Sequence, residues 1–184
     1  MQRVIIIPNF RTHILSGIVA YPFFYILFAT ISSLIFSNIY YFSADEIAFS
    51  FSLFVLGSDL PDVDHQHALI NKFFRILLII ATIYYVFLYS YNLYPKIPFS
   101  RDVSNFLLLI VAISLGALIS VLFNKLTRHR GIWHTVFMAL ILSGALFLLN
   151  LKYTLLIQIF YSLSLFFGYC VHLFLDKYFK ENKK

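Results

Sequence analysis

The chain has 184 residues, of which 61% are hydrophobic, 20% aromatic and only 12% charged, with a net charge of +6 and a mean hydropathy of +0.85. Soluble domains are about half apolar, so this composition excludes a water-soluble globular protein and points to a membrane protein, built as one bundle over residues 1–184. The basic balance could indicate nucleic acid, and the lone Cys170 excludes an internal disulfide.

In chain order, the opening MQRVIIIPNFRTH holds a short apolar run closed by Pro8 with no small-residue cleavage site after it, so no removable signal peptide is expected. Uncharged runs able to cross a hydrocarbon core of about 30 Å follow at residues 17–42, 76–95, 103–124 and 153–175, the last interrupted only by His172. Two shorter runs lie at 47–58 and 135–151. The first of these gives only about 18 Å of helix, so it either crosses with Asp59 carried into the boundary or is re-entrant. Pro61 disfavours helix at Leu60, which predicts an end near Asp59, with Gly57 easing the exit. The expectation is an all-α, polytopic transmembrane helical bundle of about six spans, the second and fifth short, joined by short loops.

If all six runs cross, only Lys96, Arg101 and Lys152 of the 14 Lys and Arg fall on one side. The positive-inside rule then makes the other side, with both termini, cytoplasmic. That explains the charge without nucleic acid. The same topology gathers all six histidines on the cytoplasmic side: His13 before the first span, His65 and His67 after the second, His129 and His134 between the fourth and fifth, and His172 in the sixth. Asp59, Asp62, Asp64 and Asp176 join them, whereas Asp45, Glu46 and Asp102 of the opposite face have no histidine near.

Local spacing sharpens the grouping. His172 and Asp176 are four apart on a predicted helix and so share a face. Residues 62–65 are expected in a turn or extended segment, where Asp62 and Asp64 point the same way while Val63 packs oppositely. Gly131 gives a joint that lets His129 and His134 turn to one point. Taken singly, each residue has a plainer account: an interfacial histidine hydrogen-bonded at the boundary, Arg128 and Arg130 facing lipid phosphate, Asp59 accepting bonds at a helix end. His67, Lys72 and Arg75 read as loop solvation. Taken together, four carboxylates in a low-dielectric bundle would repel one another unless cations offset them. Mixed imidazole and carboxylate donors suit Zn²⁺ or another borderline divalent ion such as Mn²⁺, and seven or eight candidate ligands could serve two or three ions.

The segments TH at 12–13 with Gly17, GSDLPDVDH at 57–65, HRGIWHT at 129–135 and GYCVHLFLD at 168–176 resemble, in that order, the YdjM-like family of inner-membrane metal-dependent hydrolases. The resemblance spans almost the whole chain. It implies a multi-pass membrane hydrolase whose motif positions are His13, Asp59, Asp62, Asp64, His65, His129, Arg130, His134, His172 and Asp176. Trp133 departs from the family's smaller residue before the second histidine of its motif. The pattern is also distantly similar to the soluble zinc-dependent phospholipase C and nuclease group, but that group uses its N-terminal amine as a ligand and this chain has no equivalent.

The expected chemistry is metal-activated water attacking an ester or phosphoester of a lipid or other amphiphile, at a site on the cytoplasmic end of the bundle. His13, Asp62, Asp64, His65, His129, His134, His172 and Asp176 are the expected metal ligands, with Asp62 or Asp64 bridging two ions. Asp59, Asp64 and Arg130 are the expected catalytic residues, Asp59 as general base and Arg130 against a phosphate oxygen. Two other classes fit the same residues: a metal or proton transporter, which needs ionisable groups along the bundle that the outer halves of these spans scarcely offer, and a metal-stapled scaffold without turnover.

Overall fold

The computed structural model describes residues 10–36, 40–90, 100–127 and 131–181. Among them are six α-helices and no strand: α1 (Phe10–Phe36), α2 (Ala44–Gly57), α3 (Leu69–Ser90), α4 (Arg101–Leu126), α5 (Val136–Leu149) and α6 (Leu155–Glu181). Four of these, α1, α3, α4 and α6, are long and apolar enough to cross a membrane. α2 and α5 have 14 residues each, about 21 Å of helix, and are the short pair expected from sequence. The helices run further than the uncharged stretches that signalled them. α1 begins at Phe10 and takes Arg11 and His13 into its first turns, and α6 continues past Asp176 to Glu181.

The described residues fall into two compact units, 1–62 with 130–184 and 63–129. In the first, α6 packs against α1, α2 and α5, and α1 also packs against α2. Lipid is as apolar as the side chains, so such helices associate through close packing and hydrogen bonds and not through a hydrophobic drive. Aromatic rings fill the interior, with Tyr21, Phe24, Phe28, Phe42, Phe54 and Phe160 in one cluster. A hydroxyl cluster ties three helices: Ser50 Oγ of α2 lies 3.0 Å from Tyr21 Oη of α1 and 2.9 Å from Ser164 Oγ of α6. Bonds of this kind contribute about 0.6 kcal/mol each on average.

Glycines set how closely the helices approach. A side-chain carbon on Gly57 would sit 2.5 Å from the Leu165 carbonyl oxygen, and one on Gly168 would meet the Phe54 carbonyl. Backbone cannot yield there, so α2 and α6 touch because both positions lack a side chain. This corrects the expected role of Gly57: it ends α2 inside the helical region and its purpose is contact with α6, while Ser58 caps the helix with φ −68°.

The start of α2 is defined by a capping box. Ser43 Oγ accepts from the Glu46 N–H, and Glu46 Oε2 accepts from the Ser43 N–H at 2.7 Å. Asp45 and Glu46 therefore serve the helix dipole at this end of α2. After Ser58 the chain coils into a 3-10 helix, Leu60–Asp64, the turn rather than the extended segment of the two expected alternatives. Pro61 is accommodated there because the Asp62 N–H closes the turn on the Asp59 carbonyl at 3.1 Å. Residues two apart on a 3-10 helix do not share a face, so the alternation expected for Asp62, Val63 and Asp64 is lost.

In the second unit, α3 packs against α4, with Gly116 of α4 against Ile79. Asn71 donates to the Val63 carbonyl at 2.6 Å and to Asn124 Oδ1 at 2.9 Å, and Arg75 Nε donates to Ser120 Oγ at 2.7 Å.

Candidate metal centre

Four helix segments of the first unit bring chemistry to one place. His13 comes from the first turns of α1, Asp62 from the 3-10 helix that follows α2, His134 from a second 3-10 helix, Ile132–His134, and His172 and Asp176 from successive turns of α6. His134 is held by its neighbours: Thr135 caps α5 by accepting from the Met138 N–H at 3.2 Å, and the Tyr169 hydroxyl donates to the Trp133 carbonyl.

The donor atoms converge at distances longer than ordinary hydrogen bonds. His134 Nε2 lies 3.6 Å from Asp62 Oδ1 and 3.8 Å from Asp176 Oδ2. His172 Nε2 lies 3.8 Å from Asp62 Oδ1 and 3.9 Å from Asp176 Oδ2, and His13 Nε2 is 3.6 Å from Asp176 Oδ1. These spacings exceed a normal hydrogen bond of about 2.7 to 3.2 Å. Two ligands about 2.1 Å from one tetrahedral ion stand roughly 3.4 Å apart, which is nearer to what is observed. Two groups that could hold an ion result, His13 with His172 and Asp176, and Asp62 with His134 and His172.

His172 is the pivot. It is 0% exposed, and its Nδ1 stands 2.8 Å from the Ser58 carbonyl oxygen. A carbonyl can only accept, so Nδ1 carries the hydrogen and Nε2 presents a lone pair to the cluster. That Nε2 has no hydrogen-bond partner among the described residues. His13, 2% exposed, stacks on His172 with ring centroids 3.8 Å apart and 16° between planes. Buried imidazole nitrogen without a partner, aimed by a backbone carbonyl and faced by two carboxylates, is the donor arrangement that a divalent ion satisfies.

The carboxylates divide by environment. The Asp62 and Asp176 side chains are about one-fifth exposed, at 22% and 23%. Burial pushes the Asp62 carboxyl up, but the polar contact with His134 and the fields of His172, His13 and His134 outweigh it and hold the group below its ordinary value. At 3.6 Å the His134 contact is an electrostatic attraction more than a hydrogen bond. Asp59 is 4% exposed, and its Oδ1 has no hydrogen-bond partner among the described residues. Burial, then the charge of Asp62, pushes it up to about 7.

A family model described as YdjM inner membrane protein matches residues 9–180. The chain belongs to the YdjM inner membrane protein family. It is thus a membrane protein, and the match takes in all five converging residues. Comparison with curated proteins and with solved structures finds no match.

Of the residues singled out in the sequence, His13, Asp62, His134, His172 and Asp176 come together here, with Asp59 three residues before Asp62. Asp64 and His65 belong to the second unit, where Asp64 is 1% exposed and the His65 ring stands 6.0 Å from that of His67. His129 and Arg130 lie outside the described residues. Two contributors carried no signal in the sequence: the Ser58 carbonyl, which is backbone, and Tyr169, one more aromatic in an aromatic helix.

Proposed function

We propose that this chain is a membrane-bound, metal-dependent hydrolase that cleaves an ester or phosphoester of a lipid or other amphiphile at the cytoplasmic membrane face. The observation that carries the reading is the His172 imidazole, turned by the Ser58 carbonyl so that its free nitrogen meets Asp62, Asp176, His134 and His13. These five residues would hold the ion, with Zn²⁺ suited to the nitrogen and oxygen donors. Bound there, a divalent ion supplies Lewis-acid polarisation of the scissile group and acidifies an attacking water.

The chain's own groups do the remainder. Asp62, held below its ordinary value, and Asp176 stand at the partly exposed rim, where their carboxylates would offset positive charge. Asp59, with a carboxyl that titrates near neutral pH, accepts a proton from the attacking water and returns it to the leaving group. The positive-inside reading of the charges supports an orientation with both termini, and with them the cluster end of the bundle, on the cytoplasmic side.

The test is hydrolysis by purified protein of a panel of lipid esters, phosphodiesters and polyprenyl phosphates. Turnover should vanish with chelator and return with Zn²⁺ or Mn²⁺. Metal-loaded, folded protein that cleaves nothing would make the cluster a structural staple, and ion flux into liposomes without product would make the chain a transporter.

A further inference from the structure

An apolar cavity of about 970 Å³ between α1 and α6 begins where the metal centre ends. At its mouth Leu15 and Ser16 follow His13 within one turn, and Phe174 and Leu175 immediately precede Asp176. From there it runs to Ile31 on α1 and Leu163 on α6, over a floor that includes the buried rings of Phe24, Phe28 and Phe54. Both flanking helices are of membrane-crossing length, and Val19, Phe23 and Leu27 along the cavity are exposed. The medium that meets this opening in a membrane protein is therefore hydrocarbon and not water.

We propose that the cavity holds one acyl chain of a bilayer lipid whose ester-bearing head lies at the His and Asp cluster. The assignment rests on the hydrolase reading for the head and on the cavity alone for the chain. Length selects the occupant. From Leu15 to Ile31 α1 rises about 24 Å, and from Leu163 to Leu175 α6 rises about 18 Å. An extended chain advances roughly 1.2 Å per bond, so the cavity takes about 15 to 20 methylenes. That is the span of the common acyl chains, whereas a polyprenyl carrier chain is more than twice as long and would leave much of itself outside. Continuity selects the orientation: the His13 and His172 imidazoles and the Asp176 carboxylate of the cluster lie within a turn of Leu15 and Leu175, whereas the lining from Val19 to Ile31 of α1 and at Leu163 and Phe167 of α6 is apolar, so the polar end of an amphiphile is satisfied at the cluster and not among those deeper residues.

The experiment places metal-stripped protein in nanodiscs containing a phosphatidylcholine with a diazirine at the end of a palmitoyl chain, and maps photolabelled residues by mass spectrometry. Labels should concentrate at 23–31 of α1 and 163–167 of α6, with at least tenfold less on α3 and α4. Palmitoyl lysophosphatidylcholine should compete and dibutyryl phosphatidylcholine should not. Ala20→Trp, which fills the cavity, should cut labelling tenfold or more, while Leu34→Trp, on α1 but outside the cavity, should leave it unchanged. Labels spread evenly over α1, α3, α4 and α6 in the unsubstituted protein would overturn the proposal whether or not either variant folds, and a polyprenyl phosphate that outcompetes the lysolipid would overturn the acyl assignment. Because labelling needs no turnover, concentrated labels without hydrolysis of any ester would keep the chain site and remove the hydrolase.

Discussion

The Nδ1 of His172 on α6 donates to the carbonyl oxygen of Ser58, the residue that caps α2, at 2.8 Å. This one bond makes the α2–α6 contact part of the candidate metal centre, because the glycines that let the two backbones touch, Gly57 and Gly168, stand beside Ser58 and one turn before His172. Helix packing and imidazole orientation are thus fixed by the same few residues.

Metal content should depend on the five converging side chains and on no other acidic group. His172→Ala, His134→Ala and Asp62→Ala should each lower the bound divalent ion per protein well below that of the parent, while Asp45→Ala and Asp102→Ala should not. Asp45 lies in the first turn of α2, and Asp102 in the first turn of α4 within the second unit. Elemental analysis of protein purified without chelator decides it: a folded parent devoid of metal would remove the premise.

Packing gives a second expectation. Gly168→Ala would press a methyl onto the Phe54 carbonyl, a backbone atom that cannot swing away. Overpacking of this kind costs about 1 to 3 kcal/mol, and here it also draws His172 from Ser58. The variant should therefore lose thermal stability and metal together, whereas Gly144→Ala, with nothing within 4 Å of the added carbon, should lose neither. Thermal midpoints in detergent, read with and without Zn²⁺, separate the two effects.

Tyr169 should act on the metal through His134. Its hydroxyl holds the Trp133 carbonyl, so Tyr169→Phe keeps the buried ring and releases the segment that carries His134. Outer-shell partners of this type alter metal affinity about 10- to 100-fold. A chelator competition titration should show a loss of about tenfold with little change in the metal-free melting point. Equal affinity in the two proteins would confine Tyr169 to packing.

What the sequence made legible follows from what it encodes locally. His172 and Asp176 were readable because four residues is one helical turn, and the two short helices because apolar length is counted directly. A helix beginning near His13 and one reaching Asp176 were expected, but the full limits at Phe10 and Glu181 were not, since Arg11 and Lys177 carry charge without interrupting a helix; long polar side chains at the ends of a span reach the interface. Asp62 lies among the converging residues in a turn, one of the two geometries expected for it, but the shared direction of Asp62 and Asp64 was not found, because a 3-10 helix around Pro61 has no periodicity over so few residues. The Ser58 carbonyl could not be read at all, as every residue has one.

Protonation of Asp59 gives a pH dependence of known sign. Its carboxyl titrates near 7 in the folded protein and near 3.8 when unfolded. The folded state therefore binds the proton more tightly, and metal-free protein should lose stability as pH rises from about 4 to about 7, by at most about 1.4 kcal/mol per pH unit, and then level off. Asp62, held below its ordinary value, contributes stability that is present above about 4 and lost only at lower pH, so the two windows do not overlap. Asp59→Asn should flatten the melting temperature between pH 4 and 7. Parallel slopes for parent and variant would show that Asp59 is not the group responsible.

The same residue separates catalysis from metal binding. If Asp59 moves the proton of the attacking water, Asp59→Asn keeps the shape of the site and the five converging residues, yet loses the base, and turnover should fall about a hundredfold or more, the usual share of a positioned acid or base. Bound metal should be unchanged, whereas a ligand variant such as His134→Ala should lose both. The pH profile supplies an independent mark. With a base titrating near 7, the parent's rate should rise tenfold per pH unit below neutrality and flatten above it, and the variant's residual rate should lack that inflection. An Asp59→Asn protein that retains metal and hydrolyses the same ester at the parental rate would leave the cluster intact and take the proton transfer away from Asp59.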